Sequence, residues 1–216
     1  MLTRDEKSRF CSLAASLMAP PEGALLEELE DEASRSLLNK AFPAAGGDGR
    51  LPALLAGGVR GAEFVAALRT EYGRLFGQWE GAAISLVEST HKPWTADGEC
   101  RMVFSRSTGL LMGDAALHMR ELYRQAGLEV PEEFLSTPDH LVLELEFLGI
   151  LYRSASQRQV RGFIADHLDW VSGLEAELEQ AGSHPFYRDA VGMIRRFLER
   201  ERTQGEGEGH GEKKVH

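Results

Sequence analysis

The sequence has few cysteines and no long apolar run. Its 216 residues include only Cys11 and Cys100, which lie far apart, each without a second cysteine at metal-ligand spacing. A disulfide framework is therefore not expected, which suits a reducing compartment. The N-terminus is charged, and no apolar segment behind it is long enough for a secretory signal or a membrane span. We expect a soluble, cytoplasmic protein without stable membrane insertion.

Basic clusters and common enzyme motifs are also missing. Acidic residues outnumber Lys and Arg by 34 to 24, which gives a formal net charge of −10. Without a block of Lys and Arg to displace counterions from phosphates, nucleic acid is not an expected partner, whereas an acidic surface favours basic partners. The sequence lacks G-x-S-x-G, Walker-type and G-x-G-x-x-G motifs. We therefore expect a protein that is not an enzyme and has no cofactor.

Apolar residues at helical spacing dominate the chain, whereas the alternating pattern of strands is scarce. We predict an all-α fold, a compact multi-helix bundle with mostly antiparallel neighbours. One domain should cover residues 1–202, and residues 203–216, which lack apolar anchors, should form a disordered tail. The predicted helices cover residues 3–19, 23–38, 62–76, 111–126, 138–152, 160–181 and 185–202, with a short element at 131–135.

Capping residues predict where some helices begin. Thr3 and Glu6 form a capping box at the start of the first helix. Thr137 is typical of an N-cap, with Pro138 at the first helical position. The helix that they begin is apolar on nearly every side, which indicates a buried central helix. The apolar positions between residues 160 and 178 repeat at steps of four and three, the spacing of one continuous bundle seam.

Two segments have no helical period. Residues 42–60 are rich in Gly and Pro and are predicted to be mostly loop. The segment from Gly77 to Ser105 holds two of the three tryptophans, Trp79 and Trp94. A structureless connection of this length inside a compact domain tends to be functional, so we expect these rings to be buried or to face a partner. A hinge is possible near residues 131–139.

Acidic residues on the central helix are candidate ligand groups. Asp139 in the first turn is favoured by the partial positive charge of a helix N-terminus, which is a sufficient structural reason for it. Alternatively, a proline-fixed turn could hold Asp139 and His140 at the edge of a groove, where they could pair with cations of a ligand. Glu144 and Glu146 lie farther along the same apolar helix, and we expect one of them to have an Arg or Lys partner, because a buried unpaired charge is costly.

Histidines allow a metal-binding alternative. His140 and Glu144 have the i, i+4 spacing that puts both on one helix face, and His91, His118 and His167 could add further ligands. No H-E-x-x-H or C-x-x-C spacing supports this. His118 and His167 lie on core-facing stripes, where a buried, hydrogen-bonded histidine is expected. A helical metal- or small-ligand-binding protein is thus the alternative function, and a structural subunit of a helical oligomer is a third.

Three motifs in series resemble those of the TorD/DmsD/NarJ-type chaperones, which mature molybdenum-containing oxidoreductases. Y-G-R-L-F at residues 72–76 is similar to the family's Y-x-x-L-F helix end. E-S at residues 88–89 is similar to the pair that follows in the aromatic loop. P-D-H at residues 138–140 and L-E-F at residues 145–147 are similar to the signature of the central helix. The sequence departs from the family at Thr137, where an acid is frequent, and at Leu148, where methionine is common.

The resemblance implies a TorD-like all-helical fold and a chaperone function. Such a chaperone, a monomer or homodimer, binds the leader peptide of an apo molybdopterin oxidoreductase subunit, often a twin-arginine signal, until the molybdopterin cofactor is inserted. Glu88, Asp139 and Glu146 would meet the arginines of the leader, and Pro138 and His140 would shape the hinge and pocket. The full set of implied peptide-binding residues is Tyr72, Leu75, Phe76, Glu88, Trp94, Pro138, Asp139, His140 and Glu146.

Overall fold

The computed structural model describes residues 1–42, 61–77 and 84–203. These residues form ten α-helices and no β-sheet, which confirms the predicted fold class. A 3-10 helix covers Glu132–Phe134. Residues 43–60, Trp79 and residues 204–216 lie outside the described residues. The helices are α1 (Arg4–Met18), α2 (Gly23–Glu30), α3 (Glu32–Ala41), α4 (Ala62–Phe76), α5 (Glu88–His91), α6 (Asp114–Gln125), α7 (Leu141–Ser154), α8 (Gln157–His167), α9 (Val171–Gln180) and α10 (Pro185–Thr203).

The centre of the bundle is formed by α1 and α7, which pack more extensively on each other than any other pair among the described helices. The predicted capping box begins α1, because Thr3 Oγ1 accepts from the Glu6 N–H while Glu6 Oε2 accepts from the Thr3 N–H. The two helices approach closely at Gly149, where a Cβ would lie 3.2 Å from the carbonyl oxygen of Ser8. As predicted, α7 is a buried central helix.

The helix predicted over residues 23–38 is two helices in the structure. Asp31, with φ −58° and ψ 127°, interrupts the helical backbone between α2 and α3. Its carboxylate accepts a hydrogen bond from the Ser34 N–H at 2.8 Å and thereby caps α3. Aspartate is a preferred N-cap, so the residue type at this break is the one expected for a helix start.

The seam predicted over residues 160–181 is also interrupted. Leu168 ends α8 with φ −119° and ψ 14°, and Trp170 precedes α9. The seam positions on both sides of this break are nevertheless buried, because both helices turn their apolar faces to the same core. A pattern of alternating steps of four and three therefore predicted the buried face correctly and the continuity of the helix incorrectly.

The central helix begins three residues later than predicted. Its N-cap is His140, whose Nδ1 accepts a hydrogen bond from the Val142 N–H at 3.2 Å, and its first residue is Leu141. Thr137 instead begins a turn, in which its carbonyl oxygen accepts from the His140 N–H at 3.1 Å. The extended backbone of His140 forms an antiparallel bridge with Val87, which is why the helix cannot include it.

The segment that follows residue 83 is more structured than predicted. It contains α5, and the backbone of Trp94 is held on both sides. The Trp94 N–H donates to the carbonyl oxygen of Ser107 at 3.0 Å, and the Trp94 carbonyl oxygen accepts from the Asp114 N–H at 2.9 Å. This loop therefore folds back on itself and on the start of α6. None of the helices in the described ranges has the length and apolar character needed to cross a bilayer.

Candidate functional site

The E-S and P-D-H motifs, distant in sequence, meet in the structure. The Glu88 N–H donates to the carbonyl oxygen of Asp139 at 3.0 Å, and the Leu141 N–H donates to that of Leu86 at 2.8 Å. The side chain of Asp139 adds a third contact, because its Oδ2 accepts from the Ser89 N–H at 2.7 Å. We call residues 86–89 and 138–141 the motif junction. It fixes α5 against the start of α7.

The motif junction is closed to solvent. Glu88 and Asp139 have 0% of their surface exposed, and Pro138 is buried beside them. Burial raises the pKa of Asp139. Neither carboxylate can touch a peptide in this conformation, which differs from the predicted role. The sequence showed an acid at the start of a helix, but could not show that the N–H group it caps belongs to another helix, α5.

The Y-x-x-L-F residues lie at the end of α4, packed against α10. Leu75 is 0% exposed and belongs to the core. The rings of Tyr72 and Phe76 are half-buried and lie 6.2 Å and 5.4 Å from the ring of Tyr187. Burial raises the pKa of Tyr72 to about 12. These aromatic residues therefore stabilise the α4–α10 contact, and only Tyr72 and Phe76 leave part of their surface open to a partner.

The remaining predicted aromatic residue, Trp94, lies away from the motif junction's backbone contacts, on the loop before α6. Its half-buried ring forms an edge contact with Phe104 at 5.1 Å. Gly113 lets α6 begin directly against this loop, because a Cβ there would lie 2.6 Å from the Trp94 carbonyl oxygen. Part of the Trp94 ring is open to solvent, as the prediction of a partner-facing tryptophan requires.

Glu88 is the centre of a buried polar network. Its Oε2 lies 2.8 Å from Nδ1 of His167, and its Oε1 forms an ion pair of 2.6 Å with Nζ of Lys92. Burial alone would raise the pKa of Glu88, but hydrogen bonds from His167 and Glu144 outweigh it, and the pKa lies below its usual value. Half-buried Lys92 is therefore a partner of Glu88 in α5, and not of an acid of α7.

Glu144 lies beside Glu88 in this network. Burial and the negative charge of Glu88 raise the pKa of Glu144 well above its usual value. Its Oε2 accepts a hydrogen bond from Trp170 Nε1 at 3.4 Å. We expected an Arg or Lys partner for one of the acids Glu144 and Glu146, but neither forms an ion pair with a residue of the described ranges, and Trp170 is the polar partner of Glu144.

The histidines are arranged differently from the predicted metal site. His140 caps its own helix, and burial lowers its pKa to about 4, so it does not share a site with the Glu144 side chain. His167 is 2% exposed and hydrogen-bonded, as predicted. His118 is exposed rather than buried, and its Nδ1 lies 2.8 Å from Nε2 of His167. Burial and the charge of His167 lower the pKa of His118.

A surface groove lies between the end of α6 and α7, with a volume of about 150 Å³. We call it the α6–α7 groove. Its lining is mostly apolar, and Leu128 and Ile150 are 37% and 38% exposed there. Two acids, Glu129 and Glu146, belong to it, and partial burial raises the pKa of Glu146. The lining residues are Tyr123, Leu128, Glu129, Val130, Pro131, Leu143, Glu146, Phe147 and Ile150.

Of the nine predicted site residues, Glu146 alone lines this groove. Pro138 contributes indirectly, because its carbonyl oxygen accepts a hydrogen bond from the hydroxyl of Tyr123, a lining residue, at 3.0 Å. The sequence analysis did not identify Leu128 or Ile150 as site residues. The sequence of α7 could have indicated Ile150, because a helix that is apolar on every side has more apolar surface than its contacts with the core can cover.

These features define an all-α helical bundle with an apolar, acid-edged groove on its surface. A family model described as the nitrate reductase delta subunit matches residues 50–184, more than half of the chain. The chain therefore belongs to this family, which comprises the NarJ/TorD-type maturation chaperones of redox enzymes. A comparison with curated proteins found no match.

Proposed function

We propose that the protein is a cytoplasmic chaperone, not an enzyme, that binds the leader peptide of an apo molybdopterin oxidoreductase subunit. It holds the subunit until the molybdopterin cofactor is inserted and then releases it for assembly or export. Membership of the delta-subunit family supports the chaperone function. The observation that carries the peptide-binding part is the α6–α7 groove, an exposed apolar surface with two acids in its lining.

The chemistry of the groove suits an arginine-flanked apolar helix. The exposed parts of Leu128 and Ile150 would be covered by the apolar stripe of the leader, in the way that grooves accept amphipathic helices. Glu129 and Glu146 would pair with arginines at the edge of that stripe. A partly desolvated carboxylate binds a guanidinium more strongly than one in bulk water, because water screens the pair less.

Most of the other predicted residues act by positioning the groove. Pro138, Asp139 and Glu88 fix the start of α7 through the motif junction. The ring of Phe134, which lies near the ring of His140, extends this packing to the 3-10 helix. Leu75 supports the rings of Tyr72 and Phe76 from the core side. We propose that the exposed parts of Tyr72, Phe76 and Trp94 meet other portions of the client.

A peptide titration tests the role of the groove. The Glu146→Gln variant removes one charge from the lining and should weaken binding of a synthetic arginine-containing leader about tenfold, the loss expected for one charge-assisted hydrogen bond. Glu179→Gln changes an exposed acid of α9 outside the groove and is the matched control, with unchanged affinity expected. Equal affinities of the two variants would remove Glu146 from the site.

A further inference from the structure

The described residues contain one group of side chains arranged to hold a metal ion. Glu88, Glu144 and His167 each offer one ligand atom, and the three atoms lie within 4.8 Å of one another. All three residues are 2% exposed or less. Oε1 of Glu144 accepts no hydrogen bond from any residue of the described ranges, so a fully buried oxygen is available to a ligand.

We propose that these three side chains bind one divalent transition-metal ion of the class of Zn²⁺ and Co²⁺. One imidazole nitrogen and two carboxylate oxygens are ligands that such ions accept, with a remaining position for water. The two carboxylates can balance the charge of the ion. The α6–α7 groove uses none of these side chains, so the site is separate from the proposed peptide function.

Three segments of the fold converge on this cluster. Glu88 begins α5, Glu144 lies in the first turn of α7, and His167 ends α8. The motif junction already fixes α5 against α7, so two of the ligands are positioned before any ion binds. An ion would add a link from both helices to α8 and would stabilise the folded chain.

His118, which lies outside the cluster, orients the ring of His167. Its Nδ1 lies 2.8 Å from Nε2 of His167, so the His167 ring is held with Nδ1 towards Glu88. Ligating histidines ordinarily hydrogen-bond through their second ring nitrogen in this way. A cavity of about 360 Å³ lined by Glu88, His118 and His167 lies beside the cluster, and the exposed acids Asp114 and Asp166 on its lining would attract a cation.

Lys92 pairs with one of the proposed metal ligands, Glu88, and should therefore affect metal affinity. Its Nζ lies 2.6 Å from Glu88 Oε1 and also 2.6 Å from Asp169 Oδ1, and it donates to the carbonyl oxygen of Asp166 at 2.7 Å. An incoming metal ion would compete with this ammonium group for Glu88, while Asp169 and Asp166 would retain it. Removing the Lys92 charge should therefore strengthen metal binding, although it removes an ion pair from the metal-free protein.

Titration of the full-length protein with Co²⁺, followed by its visible absorption and by competition with Zn²⁺, tests the site. We expect Glu144→Gln to weaken Co²⁺ binding at least about tenfold, His118→Asn to weaken it by about tenfold as a positioning residue, and Lys92→Gln to strengthen it severalfold. His184→Gln is the control, because the His184 ring contacts Phe64 and its Nδ1 accepts from the Phe186 N–H, outside the cluster, and the change should leave affinity unchanged.

The proposal predicts weaker Co²⁺ binding for Glu144→Gln and stronger binding for Lys92→Gln, and these opposite changes make it falsifiable. Circular dichroism of each variant establishes that it is folded. Equal Co²⁺ affinity of wild type and Glu144→Gln, or weaker binding by Lys92→Gln, would overturn the proposal. Leader-peptide affinity should be unchanged in Glu144→Gln, so failure of the metal site and failure of the peptide site give different results.

Discussion

Asp139 caps a helix to which it does not belong, and this contact can be tested by two substitutions. Asp139→Asn keeps an oxygen that can accept from the Ser89 N–H and removes only a charge that burial disfavours. Its free energy of unfolding should stay within about 1 kcal/mol of wild type. Asp139→Ala leaves the buried N–H without an acceptor and should cost about 1–3 kcal/mol more, measured by chemical denaturation. Similar stabilities of the two variants would contradict the capping role.

His140 should make the protein sensitive to mild acid. Its pKa is lowered from 6.5 to about 4 by burial. His140 is therefore protonated near pH 6.5 in the unfolded chain but only near pH 4 in the folded protein. Stability contributed by neutral His140 is complete above pH 6.5 and is lost as the pH falls across this interval, by up to about 3 kcal/mol.

The control for this prediction is His140→Asn, because asparagine keeps a side-chain acceptor for the Val142 N–H and does not titrate. Denaturation curves at a series of pH values should show a smaller loss of stability in the variant than in wild type between pH 6.5 and 4. Parallel pH profiles would show that another group, and not His140, causes the acid sensitivity.

At the scale of single residues, the sequence did not show which groups the predicted site residues contact. Glu88, Asp139 and His140 were predicted site residues, and each has a specific hydrogen-bond partner in the structure. The direction of each side chain depends on the antiparallel contact between residues 87 and 140, which local patterns do not encode. The prediction that Glu88 and Asp139 face a ligand came from the family resemblance and, for Asp139, from its place at a helix start.

At the scale of helices, periodicity predicted the buried faces better than the boundaries. The cap of α1 was predicted because Thr3 and Glu6 are local partners, whereas the break at Asp31 is made by one residue that serves two helices. The break after Leu168 leaves the apolar spacing intact, so no period could reveal it. Boundaries depend on backbone contacts, and apolar spacing depends only on which face is buried.

The close contact of α1 and α7 predicts an unusual response to alanine. Glycine to alanine in a helix ordinarily stabilises by about 1 kcal/mol, and Gly162→Ala in α8 should do so, because a Cβ at this position would have no neighbouring atom within 4 Å. Gly149→Ala would press a methyl group against the backbone of Ser8 and should destabilise instead. Thermal denaturation of both variants measures the difference, and stabilisation by Gly149→Ala would show that the two helices can separate at little cost.

At the scale of the whole molecule, the fold class and the family followed from the sequence, but the proposed binding surface did not. The motifs at residues 72–76, 88–89 and 138–140 were sufficient to indicate the chaperone family. In the structure these motifs form internal contacts that position α4, α5 and α7, whereas the exposed apolar surface is formed by residues outside them, such as Leu128 and Ile150. Motif residues that fix a fold and surface residues that bind a partner give the same kind of sequence signal.

Site-specific photo-crosslinking tests the central claim, that the α6–α7 groove binds the leader, most directly. A photoreactive amino acid placed at Leu128 should crosslink to an arginine-containing leader peptide, and unlabelled peptide should compete. The same amino acid at Leu117, an exposed residue of α6 that does not line the groove, should not crosslink. Crosslinking from position 72 on α4 without crosslinking from position 128 would contradict the account and place the leader on the aromatic end of α4.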